Sequence, residues 1–319
     1  MTLSRAALAS LIACTACTGL SSDPQAGELV LSIDSPDAIY EYDGDAYIFT
    51  RMGDESQIVT PDGRVVYRTP GVIEGVTSAG LSTDTDVQRP AFWAETNGGL
   101  GWRVMRMDSP GVVNEVGTIE GFSYILNRPA VDAASIYIPT STGAVWRFPR
   151  EGGAGVVFYQ GTRSTVAVAA ADDGVWVTTT TGLRLIPRDG EPSTDYSLAD
   201  YGYGVPDELS WPGTLFGTIA GTGVRDGAVV DLGHGAPRLT QSGMVLPFSP
   251  VADGSESYFA TGNDEAYLFR ATFDNSDYFQ GSEALVHGDS GHQPACVTVG
   301  KEWIYWCYPN LREVRRLPR

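Results

Sequence analysis

Apolar positions fall in short runs rich in Val, Ile, Tyr, Trp and Thr, and turn residues interrupt them along the whole chain. Asp-Gly pairs stand at 43–44, 62–63, 173–174, 189–190, 226–227 and 253–254. Such pairs favour hairpins because both residues tolerate positive φ. After residue 20 no amphipathic helical pattern is longer than two turns. The pattern predicts an all-β protein.

Residues 294–319, PACVTVGKEWIYWCYPNLREVRRLPR, combine a strand, a tight turn, an aromatic-rich strand, a polar loop and a third strand ending in Arg-Leu-Pro-Arg. Residues 129–153 repeat the design, with Ile136-Tyr137 matching Ile304-Tyr305 and Val145-Trp146-Arg147 matching Glu313-Val314-Arg315. Residues 166–190 repeat it again, and both copies keep the Pro-Arg ending. Weaker copies extend the series through one aromatic in each second strand: Tyr47, Phe92, Tyr137, Trp176, Phe216, Tyr258 and Tyr305, spaced 39 to 47 residues apart. Four-stranded propeller blades need a period of about 40–45 residues, whereas helical solenoids need 3.6-residue stripes. A β-sandwich would not explain the aligned Pro-Arg endings.

The expected fold is therefore a β-propeller of seven four-stranded blades. Six is the alternative, because residues 201–244 match the template least well. Residues 28–33, ELVLSI, form an isolated strand before the first full repeat, and the last repeat stops after three strands. The N-terminal strand is expected to complete the last blade, closing the ring and removing an open sheet edge. The aromatic anchors are expected to be core between blades. Because strands reverse direction within a blade, the loops from strand two to three share a face with the connections to the next blade. That assigns the segments 51–63, 95–101, 194–208 and 287–293 to one face, where function is expected on loops held by a rigid ring.

The chain has 319 residues and a formal net charge of −18. A field of that sign repels nucleic acid and anionic membrane surfaces and favours solubility. Met1 to Arg5 is positively charged and residues 6–13 are apolar, too short to span a bilayer, which takes roughly 20 residues. Leu11-Ile12-Ala13-Cys14 resembles the bacterial lipobox, which implies a signal over residues 1–13 and lipidation of Cys14; an ordinary cleaved export signal is the alternative. Residues 14–27 read as a small, polar tether, and residues 28–319 as a single propeller domain. The protein is expected to be exported, monomeric and held in the cell envelope by its lipid alone.

Cys296 and Cys307 lie in the fold. If Lys301-Glu302 is the tip of a hairpin, the pairs 299–304, 298–305, 297–306 and 296–307 face one another, which predicts a disulfide between opposed strands; two reduced core thiols are the alternative. His287, Asp289 and His292 form the one close cluster of metal-type ligands among just 3 histidines. They could hold a divalent ion or form a polar turn between blades. Gly288 to Gly291 matches a serine-protease nucleophile stretch too briefly to matter, and the acids at 84–86 and 274–277 lack calcium-loop spacing. Tyr196, Tyr201 and Tyr203, among acids, offer large faces with polar tips for a protein or a sugar, or else pack onto a neighbouring blade. Asp54 and Glu55 belong to the same candidate face. No Gly-rich phosphate loop or supported catalytic carboxylate pair appears, so no cofactor is expected.

The three clear copies resemble the degenerate propeller repeats of bacterial exported lipoproteins, of the quinoprotein-like or TolB-like type. The resemblance implies a rigid platform; such proteins bind proteins, sugars or cofactors, and some are enzymes. The expected function is a non-catalytic, membrane-tethered platform whose partner is an envelope protein or carbohydrate. Alternatives are a hydrolase or lyase of the lactonase or glycosidase kind at the channel mouth, and solute binding in the channel. An enzyme would place His, Asp, Glu or Arg on the first strands of several blades. Residues 38–42, 129–133, 166–170 and 295–299 read there as mostly apolar and small, which weighs mildly against catalysis.

Overall fold

A computed structural model describes residues 27–78, 90–96, 101–121, 124–125, 127–164, 166–188, 190–198, 204–211, 215–219, 227–231, 238–244, 248–253, 256–262, 267–273, 279–287 and 293–319. The architecture is a seven-bladed β-propeller, each blade an antiparallel sheet of four strands. Blade 1 comprises β2 (Pro36–Tyr42), β3 (Asp45–Met52), β4 (Glu55–Val59) and β5 (Val65–Thr69), and blade 2 β6 (Ile73–Ser78), β7 (Ala91–Thr96), β8 (Gly101–Ser109) and β9 (Val112–Glu120). Blade 3 comprises β10 (Ala130–Val131), β11 (Ser135–Pro139), β12 (Ala144–Pro149) and β13 (Val156–Gln160), and blade 4 β14 (Val168–Ala171), β15 (Gly174–Thr178), β16 (Gly182–Ile186) and β17 (Thr194–Ser197). Blade 5 comprises β18 (Glu208–Ser210), β19 (Phe216–Ile219), β20 (Gly227–Asp231) and β21 (Arg238–Met244), and blade 6 β22 (Phe248–Asp253), β23 (Glu256–Ala260), β24 (Tyr267–Phe273) and β25 (Phe279–His287). Blade 7 holds β26 (Ala295–Val299), β27 (Trp303–Tyr308) and β28 (Glu313–Pro318), and its outer strand is β1 (Glu28–Ser32).

The first strands form the inner wall, each touching the next around a closed circle from β2 to β26 and back. Closure is as the isolated N-terminal run predicts: β1 pairs antiparallel with β28, setting Glu28 opposite Arg316. All seven anchors sit on the second strand of their blade, and all are buried. Each such ring contributes roughly 1.5–3 kcal/mol through burial.

Register corrects the repeat alignment by one residue. Tyr137 faces Arg147 on the third strand, and Tyr305 faces Arg316 rather than Arg315. Arg147 therefore corresponds to Arg316, which also brings the Pro-Arg endings into line. Those endings have a physical role. Arg150 lies over the Phe92 ring of blade 2, 5.7 Å from its centroid. Arg188 Nε donates to Asp132 Oδ2 at 2.9 Å, and that carboxylate also accepts the Tyr137 hydroxyl at 3.0 Å. Arg319 reaches Glu256 Oε2 at 3.5 Å, which accepts the Tyr258 hydroxyl at 2.5 Å. In all three cases the arginine fastens its blade to the anchor side chain of the preceding blade or to the acid that holds it.

Two segments expected as loops contain strands. β4 lies within 51–63 because Ser56 and Gln57, polar in the sequence, are buried, and Ser56 Oγ accepts the Ile73 amide of the next blade. β17 lies within 194–208: Asp195 takes both branches of Arg184 at 2.7 and 2.8 Å, and the Tyr196 ring packs on Trp176 with centroids 5.1 Å apart. Outer strands with polar partners lose the apolar alternation that marks inner ones.

Candidate functional site at the mouth of the central channel

The two faces of the ring differ in how they are built. One face, here the turn face, carries the turns between strands one and two and between three and four. Asp43-Gly44 is such a turn, with φ of 53° and 86°, the positive pair that a type I′ hairpin requires. The other, the connector face, carries the turns between strands two and three and the passages between blades.

At the connector face the inner strands lose their regularity. Bulges interrupt β2 between Pro36 and Ala38, β6 between Glu74 and Thr77, β22 between Phe248 and Val251, and β26 between Ala295 and Thr298. A bulge leaves one residue unpaired and re-aims its side chain. In β2 that residue is Asp37. In β26 the bulge includes Cys296, whose φ is 45°.

The β26 bulge changes the predicted hairpin but not the bond. Val299 faces Ile304 and Thr298 faces Tyr305 as expected, yet Ala295, not Cys296, faces Cys307. The disulfide between Cys296 and Cys307 forms nonetheless, with Cα atoms 5.6 Å apart. Both sulfurs lie against the Pro36 carbonyl oxygen of blade 1, at 3.6 and 3.5 Å.

Charge gathers at this end of the channel. A small cavity of about 60 Å³ between blades 1 and 2 is lined by Asp37 and Glu74 among Phe49, Ile73 and Val76. Burial pushes both carboxyls above their ordinary range; Arg51 pulls each of them down, and the Ile125 amide, donating to Glu74 at 3.3 Å, does the same for Glu74. Arg128, just before β10, donates from Nη2 to the Val297 carbonyl of blade 7 at 3.3 Å, bridging blades on different sides of the channel. Burial draws its guanidinium below the ordinary arginine range, and the charge of Glu208 in blade 5 opposes that shift. By surface Asp37 is exposed and Glu74 half-buried, so the upward push reflects partial desolvation against the ring; acids with displaced pKa values at the end of a channel are an arrangement in which functional groups recur.

The sequence reading missed Asp37, Glu74, Arg128 and Glu208. The apolar stretches of these two first strands begin at Ala38 and Pro129, one residue after Asp37 and Arg128. The available signal was a single charge at the start of four inner strands, in blades 1, 2, 3 and 5.

The predicted site residues are dispersed. Asp54 and Glu55 are exposed at the β3–β4 hairpin of the connector face, with Glu55 3.7 Å from Arg68. Tyr196 lies on an outer strand, packed as above, while Tyr201 and Tyr203 lie outside the described residues. His287 ends β25 with its ring stacked on Tyr267, centroids 4.6 Å apart; Asp289 and His292 lie outside the described residues. Among the described residues no three His, Cys, Asp or Glu converge as a metal site requires. Cys14 also lies outside them. No described helix is long and apolar enough to cross a membrane.

Two apolar side chains stand out on the connector face. Tyr124, in the passage from blade 2 to blade 3, is 69% exposed. Its backbone is pinned, the amide donating to Ser141 Oγ at 2.9 Å and the carbonyl accepting the Ser141 amide at 2.8 Å. Met52, beside Asp54 in the β3–β4 hairpin, is 47% exposed.

The class defined by these features is a closed seven-bladed propeller with a charged channel mouth. No protein-family model matches the chain, and no curated protein matches its sequence. Among solved structures, a chain of the mitotic checkpoint complex is similar at a TM-score of 0.58 and 8% identity, covering 92% of this chain and 90% of that one. YCF48 from Cyanidioschyzon merolae is similar at 0.55 and 11%, covering 91% and 98%. Apo AztD from Citrobacter koseri is similar at 0.53 and 10%, covering 86% and 91%. At these identities the likeness is one of fold.

Proposed function

We propose that the chain is a non-catalytic interaction platform of the cell envelope, exported and held at a membrane through lipidated Cys14, with the connector face meeting a protein partner. The observation that carries this reading is the exposed Tyr124 ring on a pinned backbone. A large aromatic already held in place loses little freedom on contact, as interface anchors require. Met52 adds a second apolar contact, and Asp54 and Glu55 add acidity in the same hairpin, which suits a partner with basic residues around an apolar centre. One chain of similar fold belongs to the mitotic checkpoint complex, an assembly of proteins, which agrees with partnering by such rings.

The test is affinity capture of the full-length protein from gently crosslinked native cells, comparing wild type with Tyr124→Ala combined with Met52→Ser. One envelope protein recovered near stoichiometrically with wild type and reduced at least tenfold with the variant supports the reading. Equal recovery with both sinks it. Membrane fractionation of Cys14→Ala checks the tether: the variant is expected in the soluble fraction.

One observation favours a second reading, catalysis at the mouth. Desolvation pushes the Asp37 and Glu74 carboxyls upward, the direction that general acid chemistry requires. Hydrolytic or lyase activity in wild type that disappears in Asp37→Asn or Glu74→Gln would establish it.

A further inference from the structure

Deeper than the acids, the channel holds a cavity of about 130 Å³ walled by all seven inner strands, with Val76 and Thr77 of β6 contributing from blade 2. Most of its lining residues have apolar side chains, but backbone polar atoms and the hydroxyls of Thr77, Ser210 and Thr298 make about half of the exposed wall polar. Among the described residues Arg128 is its sole charged lining group; Asp37, Glu74 and Glu208 are not part of the wall. The Arg128 guanidinium carries five N–H donors. Its one hydrogen bond within the described residues is the 3.3 Å contact to Val297. Arg128 is half-buried and, among the described residues, its charge is opposed only by Glu208, so its remaining donors are available to an anion entering the cavity.

From this cavity we infer a binding site for a small organic carboxylate, its head on Arg128 and its apolar body against the inner strands. A planar guanidinium matches a carboxylate through two parallel hydrogen bonds. With Arg128 the one charged group and mostly apolar side chains around it, the cavity favours a ligand with a hydrocarbon body over inorganic phosphate, which would lose its water without enough donors to replace it. A water occupies roughly 10–15 Å³ by this measure of volume, so the space suits a ligand of roughly ten non-hydrogen atoms. This site does not depend on the platform reading: the ring could meet a protein at its connector face with the channel empty.

Calorimetric titration of the purified, disulfide-intact full chain tests it, with benzoate as the probe, benzamide as its neutral counterpart and inorganic phosphate as the bare anion. Benzoate is expected to bind at least tenfold more tightly than benzamide or phosphate, and Arg128→Gln to weaken benzoate at least tenfold while leaving benzamide unchanged. Arg128→Lys, which keeps the charge but not the fork, is expected to fall between. Equal affinity for benzoate and benzamide in the wild-type chain overturns the proposal whether or not the Arg128 variants fold. So does the absence of benzoate binding at millimolar benzoate, or tighter binding of phosphate than of benzoate.

Discussion

The turn face and the connector face of the ring carry carboxylates that titrate in opposite directions. On the turn face Asp132 is partly buried, which raises its pKa, but the amides of Ala134 and Ser135, Arg188 and the Tyr137 hydroxyl together outweigh burial and hold it below the ordinary range. On the connector face Asp37 and Glu74 are raised, because burial exceeds the help they receive from Arg51 and, for Glu74, from the Ile125 amide. The comparison separates two ways of using an acid. An acid surrounded by donors fastens the frame, whereas an acid partly desolvated with few donors is a small standing cost that the frame absorbs, and such costs concentrate where function is built.

The construction of the two faces differs in the same sense. The turn face is held by contacts that recur from blade to blade, such as the three Pro-Arg latches. The connector face is held by devices used once, among them the disulfide and the Arg128 bridge. A single change should therefore cost most where there is no repeat to share the load. Cys296→Ala with Cys307→Ala is expected to lower stability by about 3 kcal/mol, given a separation of 11 residues. In a chain of this size that amounts to roughly 5 °C in a thermal melt. A loss under 1 °C would mean that the connector face does not rely on its staple.

Asp132→Ala sharpens the turn-face side. It leaves Tyr137, Arg188 and two backbone amides without their acceptor, and about 2 kcal/mol should be lost in urea denaturation at pH 7. Because the folded pKa lies below the unfolded one, the stabilisation from Asp132 is present above the ordinary carboxylate range and disappears as pH falls through the folded value. The difference between variant and wild type should accordingly shrink in acid. A difference that is unchanged in acid would show that the carboxylate charge is irrelevant to the latch.

The smallest effect has the opposite sign. For Asp37 and Glu74 the folded pKa lies above the unfolded one, so their favourable contribution is complete below about pH 4 and is lost as pH rises through the folded values. Asp37→Asn combined with Glu74→Gln should raise the melting temperature at pH 7 by about 1 °C or less, since solvent screens the exposed Asp37, and bring no gain at pH 4. Destabilisation at pH 7 would place the two acids with Asp132, as fasteners, and the contrast between the faces would fail.

This contrast also explains what could be read from the sequence. The turn face is periodic, and its signals were plain: Asp-Gly pairs, aromatic anchors and Pro-Arg endings gave the blade count and the closing strand. The connector face is aperiodic. Asp37 lies in a bulge and Arg128 precedes a strand of two residues, so neither occupies a position that alternation can mark. The buried polar side chains of Ser56 and Gln57 concealed β4, and the Arg184–Asp195 pair concealed β17 as a loop. The disulfide was legible because two cysteines 11 residues apart around a hairpin tip are close even when a bulge shifts their register.

The pairing of Glu28 with Arg316 spans 288 residues. During synthesis at about 5–20 residues per second, the earliest strand of the ring waits roughly 15–60 s before its partner exists. Until then blade 7 cannot form and the outer edge that β1 will cover is missing altogether. Closing the ring joins its first and last strands, so it must remain an open arc until β28 is available to β1.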